Sequence, residues 1–215
     1  NLAFALADAG QRVCLIEADL RRPTLAESLG LVTEVGLTSV LIGRADIGDV
    51  VQRVTDNLGV IASGQIPPNP SELLESEAFL RLLAAVGELT DVVVIDTAPL
   101  LVVADGAQVA AHADATLLTV RANRTTHEQI GRAIGALKNV AVTPVGVVLS
   151  MTPKTRGGSY TYYEGYRPDS AGGRSSRRTP GRDGSDEPLL GSGPDDSSGP
   201  VAQVHDGGRT SVTTG

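Results

Sequence analysis

The chain of 215 residues has few aromatic and sulfur-containing side chains. It contains two Phe, four Tyr, one Cys, one Met and no Trp. The single cysteine, Cys14, excludes an internal disulfide, and its apolar neighbours at 13–16 predict a small buried residue. Because aromatics are so scarce, the core must consist of Val, Leu, Ile and Ala, a composition that favours parallel strands covered by helices.

Positive charge is also scarce. The sequence has 18 Lys and Arg against 25 Asp and Glu, a formal net charge of −7. This balance argues against nonspecific nucleic-acid binding and against a polybasic membrane anchor. No uninterrupted apolar run reaches the roughly 18 residues expected of a membrane-spanning helix. The lone cysteine is typical of a reducing, cytosolic compartment.

The composition changes near residue 167. Of the 49 residues from 167 to 215, 23 are Gly, Ser or Pro, and none is aromatic. Such a segment buries too little apolar surface to offset the entropy of ordering, so it is predicted to be a disordered tail. The four tyrosines lie together just before it, within seven residues.

Residues 1–150 alternate between helix and strand patterns. Strands are predicted at 13–18, 58–62, 91–96, 115–120 and 144–150. Helices are predicted at 2–9, 37–42, 46–54, from 69 onward, 103–111 and 125–137. Strands separated by helices predict an α/β fold with a parallel sheet flanked by helices.

Acidic residues follow two of these strands. Glu17 and Asp19 come directly after one apolar run, and Asp96 follows another. Ligands of parallel α/β sheets bind beyond the carboxyl ends of the strands, so Asp19 and Asp96 are candidate Mg²⁺ ligands. Arg21 is a candidate partner for a phosphate or a carboxylate. The alternative is that these acids only terminate strands or cap helices.

These motifs, together with the segment at 66–74 and the tyrosine cluster, resemble the bacterial tyrosine kinases of capsule and exopolysaccharide assembly. The resemblance covers about residues 1–166. Residues 13–21 are similar to the Walker A′ motif of the family, and Asp96 occupies the position of its Walker B acid. The resemblance implies a P-loop NTPase-like fold, ATP and Mg²⁺ as cofactors, and a cytoplasmic location at the inner face of the plasma membrane.

The resemblance also implies roles for individual residues. Glu17, where the family usually has Asp, would help to activate the attacking tyrosine, and Asp19 and Asp96 would hold Mg²⁺. Ser150 stands where related ATPases often carry Asn near the adenine. The residues phosphorylated in trans by neighbouring subunits would be Tyr160, Tyr162, Tyr163 and Tyr166. The expected partners are further copies of the chain and a membrane polysaccharide co-polymerase or activator, fused upstream or separate; nucleic acid is not an expected partner.

The family's P-loop, a Gly-rich turn that ends in Gly-Lys-Ser/Thr, should directly precede Asn1 and is not in this sequence. The sequence is therefore interpreted as a fragment that lacks Walker A and the first strand, which leaves a gap in its sheet. Its expected parts are a partial kinase domain at 1–152, the tyrosine cluster at 153–166 and the disordered tail at 167–215. Whether the chain as written is active stays open.

Two alternative functions remain. The first is a partition-type ATPase, against which the 66–74 segment and the tyrosine cluster count. The second is a catalytically inactive regulatory module of a polysaccharide co-polymerase, which the missing P-loop favours.

The upstream coding sequence distinguishes the kinase from the inactive module. We expect in-frame translation above Asn1 to show a Gly-rich turn that ends in Gly-Lys-Ser or Gly-Lys-Thr, because phosphate binding needs its amides and its lysine. Sequencing the gene checks this. Absence of the pattern would contradict the enzyme hypothesis.

Overall fold

The computed structural model describes residues 1–153 and the backbone of residues 201–206. The strands among these residues are β1 (Val13–Glu17), β2 (Val51–Arg53), β3 (Leu58–Ile61), β4 (Val92–Thr97), β5 (Ala115–Arg121), β6 (Gly146–Ser150) and β7 (Val201–Asp206). The helices are α1 (Leu2–Asp8), α2 (Leu25–Ser28), α3 (Leu37–Leu41), α4 (Ile47–Val50), α5 (Pro70–Leu74), α6 (Glu77–Leu89), α7 (Asp105–Ala110) and α8 (His127–Asn139).

The strands form one sheet in the order β2-β3-β1-β4-β7-β5-β6. Strands β3, β1 and β4 are parallel neighbours, and so are β5 and β6. Because β7 runs antiparallel to both β4 and β5, those two strands point in the same direction. The predicted parallel α/β sheet is confirmed, and the carboxyl ends of its parallel strands share one edge.

Strand β7 occupies the place between β4 and β5. Six residues of the predicted tail thus form a central strand of the sheet. No strand was expected in the tail, so the structure corrects that expectation for 201–206. The physical reason is that a slot between two strands offers backbone donors and acceptors on both sides, which offset the entropy of ordering a short segment. The rest of 167–215 lies outside the described residues.

Two local predictions are also corrected. The predicted helix 46–54 ends at Val50, because Val51–Arg53 pair antiparallel with β3. The helix predicted from residue 69 is divided into α5 and α6 at Ser76, whose side chain accepts a hydrogen bond from the Phe79 backbone N–H and so starts a new helix. Helix α2 was not anticipated.

The core is aliphatic, as the composition predicts. All five residues of β1 are buried, and the single fully buried aromatic of the largest core cluster in the described residues is Phe79. Cys14 is 3% exposed, and burial raises the pKa of its thiol to about 12. The prediction of a buried, unreactive cysteine is therefore confirmed. Within the described residues, no helix combines the length and apolar character needed to span a bilayer.

A close approach at Gly36 joins the start of α3 to the loop after β3. The Leu37 N–H donates to the Ala62 carbonyl at 2.7 Å, and the Thr38 N–H donates to the Ser63 carbonyl at 2.9 Å. A Cβ atom on Gly36 would lie 2.1 Å from the Ala62 oxygen and 2.6 Å from the Gly64 nitrogen. Only glycine allows these two backbone segments to pack at this distance.

We expect Gly36→Ala to destabilise the fold by about 1–3 kcal/mol or more, because the methyl group would push two backbone segments apart. Gly87→Ala is the matched control, since a Cβ atom at Gly87 meets nothing within 4 Å inside helix α6. The control should leave stability unchanged or raise it by about 0.5–1 kcal/mol. Urea denaturation midpoints measure both changes, and equal midpoints for the two variants would contradict the role of Gly36.

Candidate functional site

The ends of β1 and β4 bring three acidic residues to one edge of the sheet. Glu17 and Asp96 are direct neighbours in the parallel register of the two strands. The chain continues from β1 with the Ala18 N–H donating to the Asp96 carbonyl at 2.7 Å, which holds the next residue, Asp19, beside the end of β4. The structure thus brings together the three carboxylates that the sequence singles out.

The carboxylate of Asp19 is oriented by its own loop. Its Oδ1 atom accepts hydrogen bonds from the backbone N–H groups of Arg21 at 3.1 Å and Arg22 at 3.0 Å. Within residues 1–153, no hydrogen bond involves Oδ2. One oxygen of a half-buried carboxylate is therefore fixed, and the other is available to a ligand.

Asp96 lies at a place that disfavours a negative charge on its carboxyl group. Burial raises its pKa to about 7, and the negative charges of Glu17 and Asp19 contribute to this. A bound cation would relieve the same repulsion. The pair Asp19 and Asp96 therefore fits a divalent cation.

The ligand set also agrees with the kind of cation. Among the described residues there is no group of three or more His, Cys, Asp or Glu side chains placed to hold a metal. Mg²⁺ is usually bound by one or two carboxylates, with waters and substrate phosphates completing its shell. The two carboxylates of Asp19 and Asp96 correspond to this kind of ligand set.

Glu17 is buried and engaged with backbone amides. Its Oε1 atom accepts from the N–H groups of Thr24 at 2.7 Å and Leu25 at 2.6 Å, and its Oε2 atom accepts from the Ser63 N–H at 3.1 Å. The residue is only 1% exposed. This geometry favours a role in holding two loops together over the predicted role of assisting an attacking tyrosine.

Arg21, Ser71 and Asp105 form a hydrogen-bonded set that we name the Arg21 clamp. Arg21 donates from Nε to Asp105 Oδ2 at 2.7 Å and from Nη2 to Asp105 Oδ1 at 3.2 Å. Arg21 Nη2 also donates to Ser71 Oγ at 3.0 Å, and Ser71 Oγ donates to Asp105 Oδ1 at 2.7 Å. Of the two partners predicted for Arg21, the structure provides a carboxylate.

The sequence does not single out Ser71 as a functional residue, and it leaves Asp105 either as the start of a helix or as a residue on the nucleotide side. Asp105 is indeed the first residue of α7, but its side chain is only 2% exposed. A signal was available, because Ser71 belongs to the 66–74 segment that carries the family resemblance. No periodicity or spacing in the sequence pairs that segment with Arg21.

Ser150 lies at the carboxyl end of β6, on the same edge of the sheet as the acids but at the outermost strand. Its hydroxyl donates to the Val120 carbonyl at 3.0 Å, so it supports strand pairing with β5. Its predicted place near a nucleotide base stays a prediction. The four tyrosines predicted as acceptors lie outside the described residues.

The Arg21 clamp predicts a pH-dependent stability. Burial pushes the pKa of Asp105 up, but hydrogen bonds from Arg21 and Ser71 and the charge of Arg21 outweigh it, so the pKa lies below its usual value. A lowered pKa stabilises the fold above the unfolded-state pKa of about 3.9, and this stabilisation is lost as the pH falls through the native value.

We therefore expect Asp105→Asn to cost on the order of 1–3 kcal/mol at neutral pH, with the difference from the unsubstituted protein shrinking below about pH 4. Urea denaturation at a series of pH values measures it. A difference that is constant across this range would contradict the ion pair as its source.

Comparisons with known proteins identify relatives of this chain. No family model matches the chain. Over 164 residues, the chain is 37% identical to the tyrosine-protein kinase YwqD of Bacillus subtilis, an alignment that covers 76% of this chain and 69% of that protein. It is also 36% identical over 174 residues to the tyrosine-protein kinase wzc of Salmonella typhimurium, covering 79% of this chain and 24% of that longer protein.

A solved structure extends the similarity to three dimensions. The kinase domain of the Escherichia coli tyrosine kinase ETK superposes with a TM-score of 0.69 at 32% sequence identity, over 74% of this chain and 63% of that domain. The expected P-loop NTPase-like fold is thereby confirmed. Both sequence and structure similarity point to one group of proteins, and the chain belongs to the family of bacterial tyrosine-protein kinases.

Proposed function

We propose that this chain is part of an ATP-dependent protein-tyrosine autokinase that regulates the synthesis and export of a capsular or extracellular polysaccharide. The observation that carries the proposal is the pair of carboxylates, Asp19 and Asp96, at the shared edge of β1 and β4. Asp19 follows β1, Asp96 is the next-to-last residue of β4, and Asp19 has a free oxygen. The kinase relatives support the reaction class.

In this proposal Asp19 and Asp96 hold Mg²⁺ at the edge of the sheet. Bound Mg-ATP supplies the phosphoryl group and the positive charge that neutralises its oxygens. The chain's own residues would orient the bound metal through the directions of these two carboxylates. The clamped loop at 18–24 sets the direction of the Asp19 carboxylate, and β4 sets that of Asp96.

We assign Glu17 to positioning. A tyrosine hydroxyl has an ordinary pKa of about 10, so it gains as a nucleophile from a group that accepts its proton. Glu17 already accepts hydrogen bonds from three backbone amides and is buried. Its carboxylate supports the reaction by fixing the loop that carries Asp19.

The acceptors in this proposal are the clustered tyrosines, phosphorylated in trans by neighbouring copies of the chain. The proposed partners are therefore a homo-oligomer and a membrane polysaccharide co-polymerase or activator at the inner face of the plasma membrane. Both follow from the family resemblance. The chain supplies the sequence basis for the acceptors, four tyrosines within the seven residues 160–166.

A second candidate function is a catalytically inactive regulatory module that is phosphorylated by another kinase. One observation is compatible with it: the four clustered tyrosines at 160–166 could accept phosphoryl groups whether or not the same chain is catalytic. The acceptor tyrosines would then serve as a substrate only. The partition-type ATPase is disfavoured by the 37% identity to a tyrosine kinase.

Substitution at the strand end tests the kinase. In protein expressed from its complete gene and incubated with Mg-ATP, we expect Asp96→Ala to abolish tyrosine phosphorylation, because the metal loses one of its two carboxylates. Asp91→Ala is the matched control, since Asp91 directly precedes the opposite end of β4 and pairs with exposed Arg12. Intact-protein mass spectrometry counts the phosphates, and full labelling of the Asp96 variant would contradict the proposal.

A separate prediction concerns how phosphorylation depends on the number of tyrosines in the cluster. Tyr163→Phe should reduce phosphorylation without abolishing it, because the neighbouring tyrosines can still accept a phosphoryl group. Replacement of all four by Phe should abolish it. Complete loss from Tyr163→Phe alone would show a single acceptor in place of a cluster, a result that the same mass measurement reveals.

A further inference from the structure

The Arg21 clamp joins three parts of the chain that are distant in sequence. Arg21 follows β1, Ser71 lies in α5, and Asp105 begins α7. Asp105 is nearly fully buried, whereas the Arg21 side chain is 40% exposed. Moving Arg21 would leave a buried carboxylate without its charged partner, which is strongly unfavourable, so the clamp fixes the guanidinium in place.

Arg21 connects the clamp to the candidate metal site through its own backbone. The Arg21 N–H donates to Asp19 Oδ1, while the Arg21 side chain is held by Asp105 and Ser71. The position of the Arg21 backbone thus determines where the fixed oxygen of Asp19 lies. It thereby also determines the direction of the free oxygen, Oδ2.

We propose that Arg21, Ser71 and Asp105 are positioning residues that orient the Asp19 carboxylate for a divalent cation. This inference rests on the proposed function, because it takes Asp19 to be a metal ligand. Arg21 acts here through Asp19, while its Nε and Nη2 groups donate to Asp105 and Ser71. The 66–74 segment acts on the metal site through the Ser71 hydroxyl.

A purely structural role for the clamp is the competing explanation. An acid at the start of a helix is favourable in any case, and a buried ion pair can join two segments without affecting a ligand. The two explanations differ in what happens to cation affinity when the clamp is altered but the fold is kept. Binding of Mn²⁺, a paramagnetic substitute for Mg²⁺, measures that affinity by water-proton relaxation.

Arg21→Lys is the main test variant, because lysine keeps the charge but cannot donate through a planar fork. The chain offers a matched control in Arg12→Lys. Arg12 makes the same kind of forked contact with Asp91, at an exposed place near the amino end of β4. Ser71→Ala removes one hydroxyl from the clamp, and Ser71→Thr restores it.

We expect Arg21→Lys to weaken Mn²⁺ binding by about 10-fold or more, the size typical of losing a residue that orients a metal ligand. Ser71→Ala should weaken it less, Ser71→Thr should restore it, and Arg12→Lys should leave it unchanged. Unfolding midpoints, measured in parallel, confirm that the variants are folded. A folded Arg21→Lys variant that binds Mn²⁺ like the unsubstituted protein would overturn the inference.

A metal-free measurement separates failure of this inference from failure of the proposed function. If Asp96→Ala does not change Mn²⁺ binding, the proposed metal site is wrong. Whether the clamp orients the Asp19 carboxylate is then tested by amide hydrogen exchange at Arg21 and Arg22, whose N–H groups donate to Asp19. Arg21→Lys should accelerate that exchange and Arg12→Lys should not; equal exchange in both variants would overturn the orienting role.

Discussion

The buried carboxylate of Glu17 is the interaction on which the arrangement of the site depends. A charged group inside a protein is strongly unfavourable unless hydrogen-bond donors surround it, so Glu17 requires donors at fixed positions. The chain provides them from two places, the start of α2 and the loop after β3. Because all three donors are backbone amides, the carboxylate orders the main chain in both of these segments. The loop that carries Asp19 begins and ends at this anchor.

Further contacts restrict the same two loops, the one after β1 and the one after β3. The loop after β3 is held from its other side by the start of α3, through a packing distance that only Gly36 permits. The loop after β1 is held from its exposed side by the Arg21 clamp. A loop fixed at both ends and in the middle has little freedom, so Asp19 is oriented before any ligand arrives. Such preorganisation lowers the entropy that a metal or nucleotide must overcome on binding.

The site also shows how a stable fold retains an unfavourable charge. Glu17 and Arg21 have partners within the described residues, whereas the pKa of Asp96 is raised by burial and by its acidic neighbours. The repulsion that destabilises Asp96 is the interaction that a divalent cation would reverse. Asp96, whose charge is disfavoured by burial, therefore lies beside Asp19, whose carboxylate is oriented by its own loop, at the carboxyl edge of the parallel strands.

The sequence by itself determined the layers of the fold and the edge at which the site lies. Apolar runs ending in Glu17 and Asp96 indicate buried parallel strands, and the 2–9 helix and Cys14 follow from local patterns that need no distant partner. Tertiary structure decided which acids are free and which are engaged. The contacts of Glu17 with Ser63 and of Arg21 with Asp105 span 46 and 84 residues. Residues 201–206 pair with β4, which is more distant still in the sequence. Periodicity and spacing report only on neighbours a few positions apart, whereas such partners are chosen by packing and by the need of buried polar groups for hydrogen bonds.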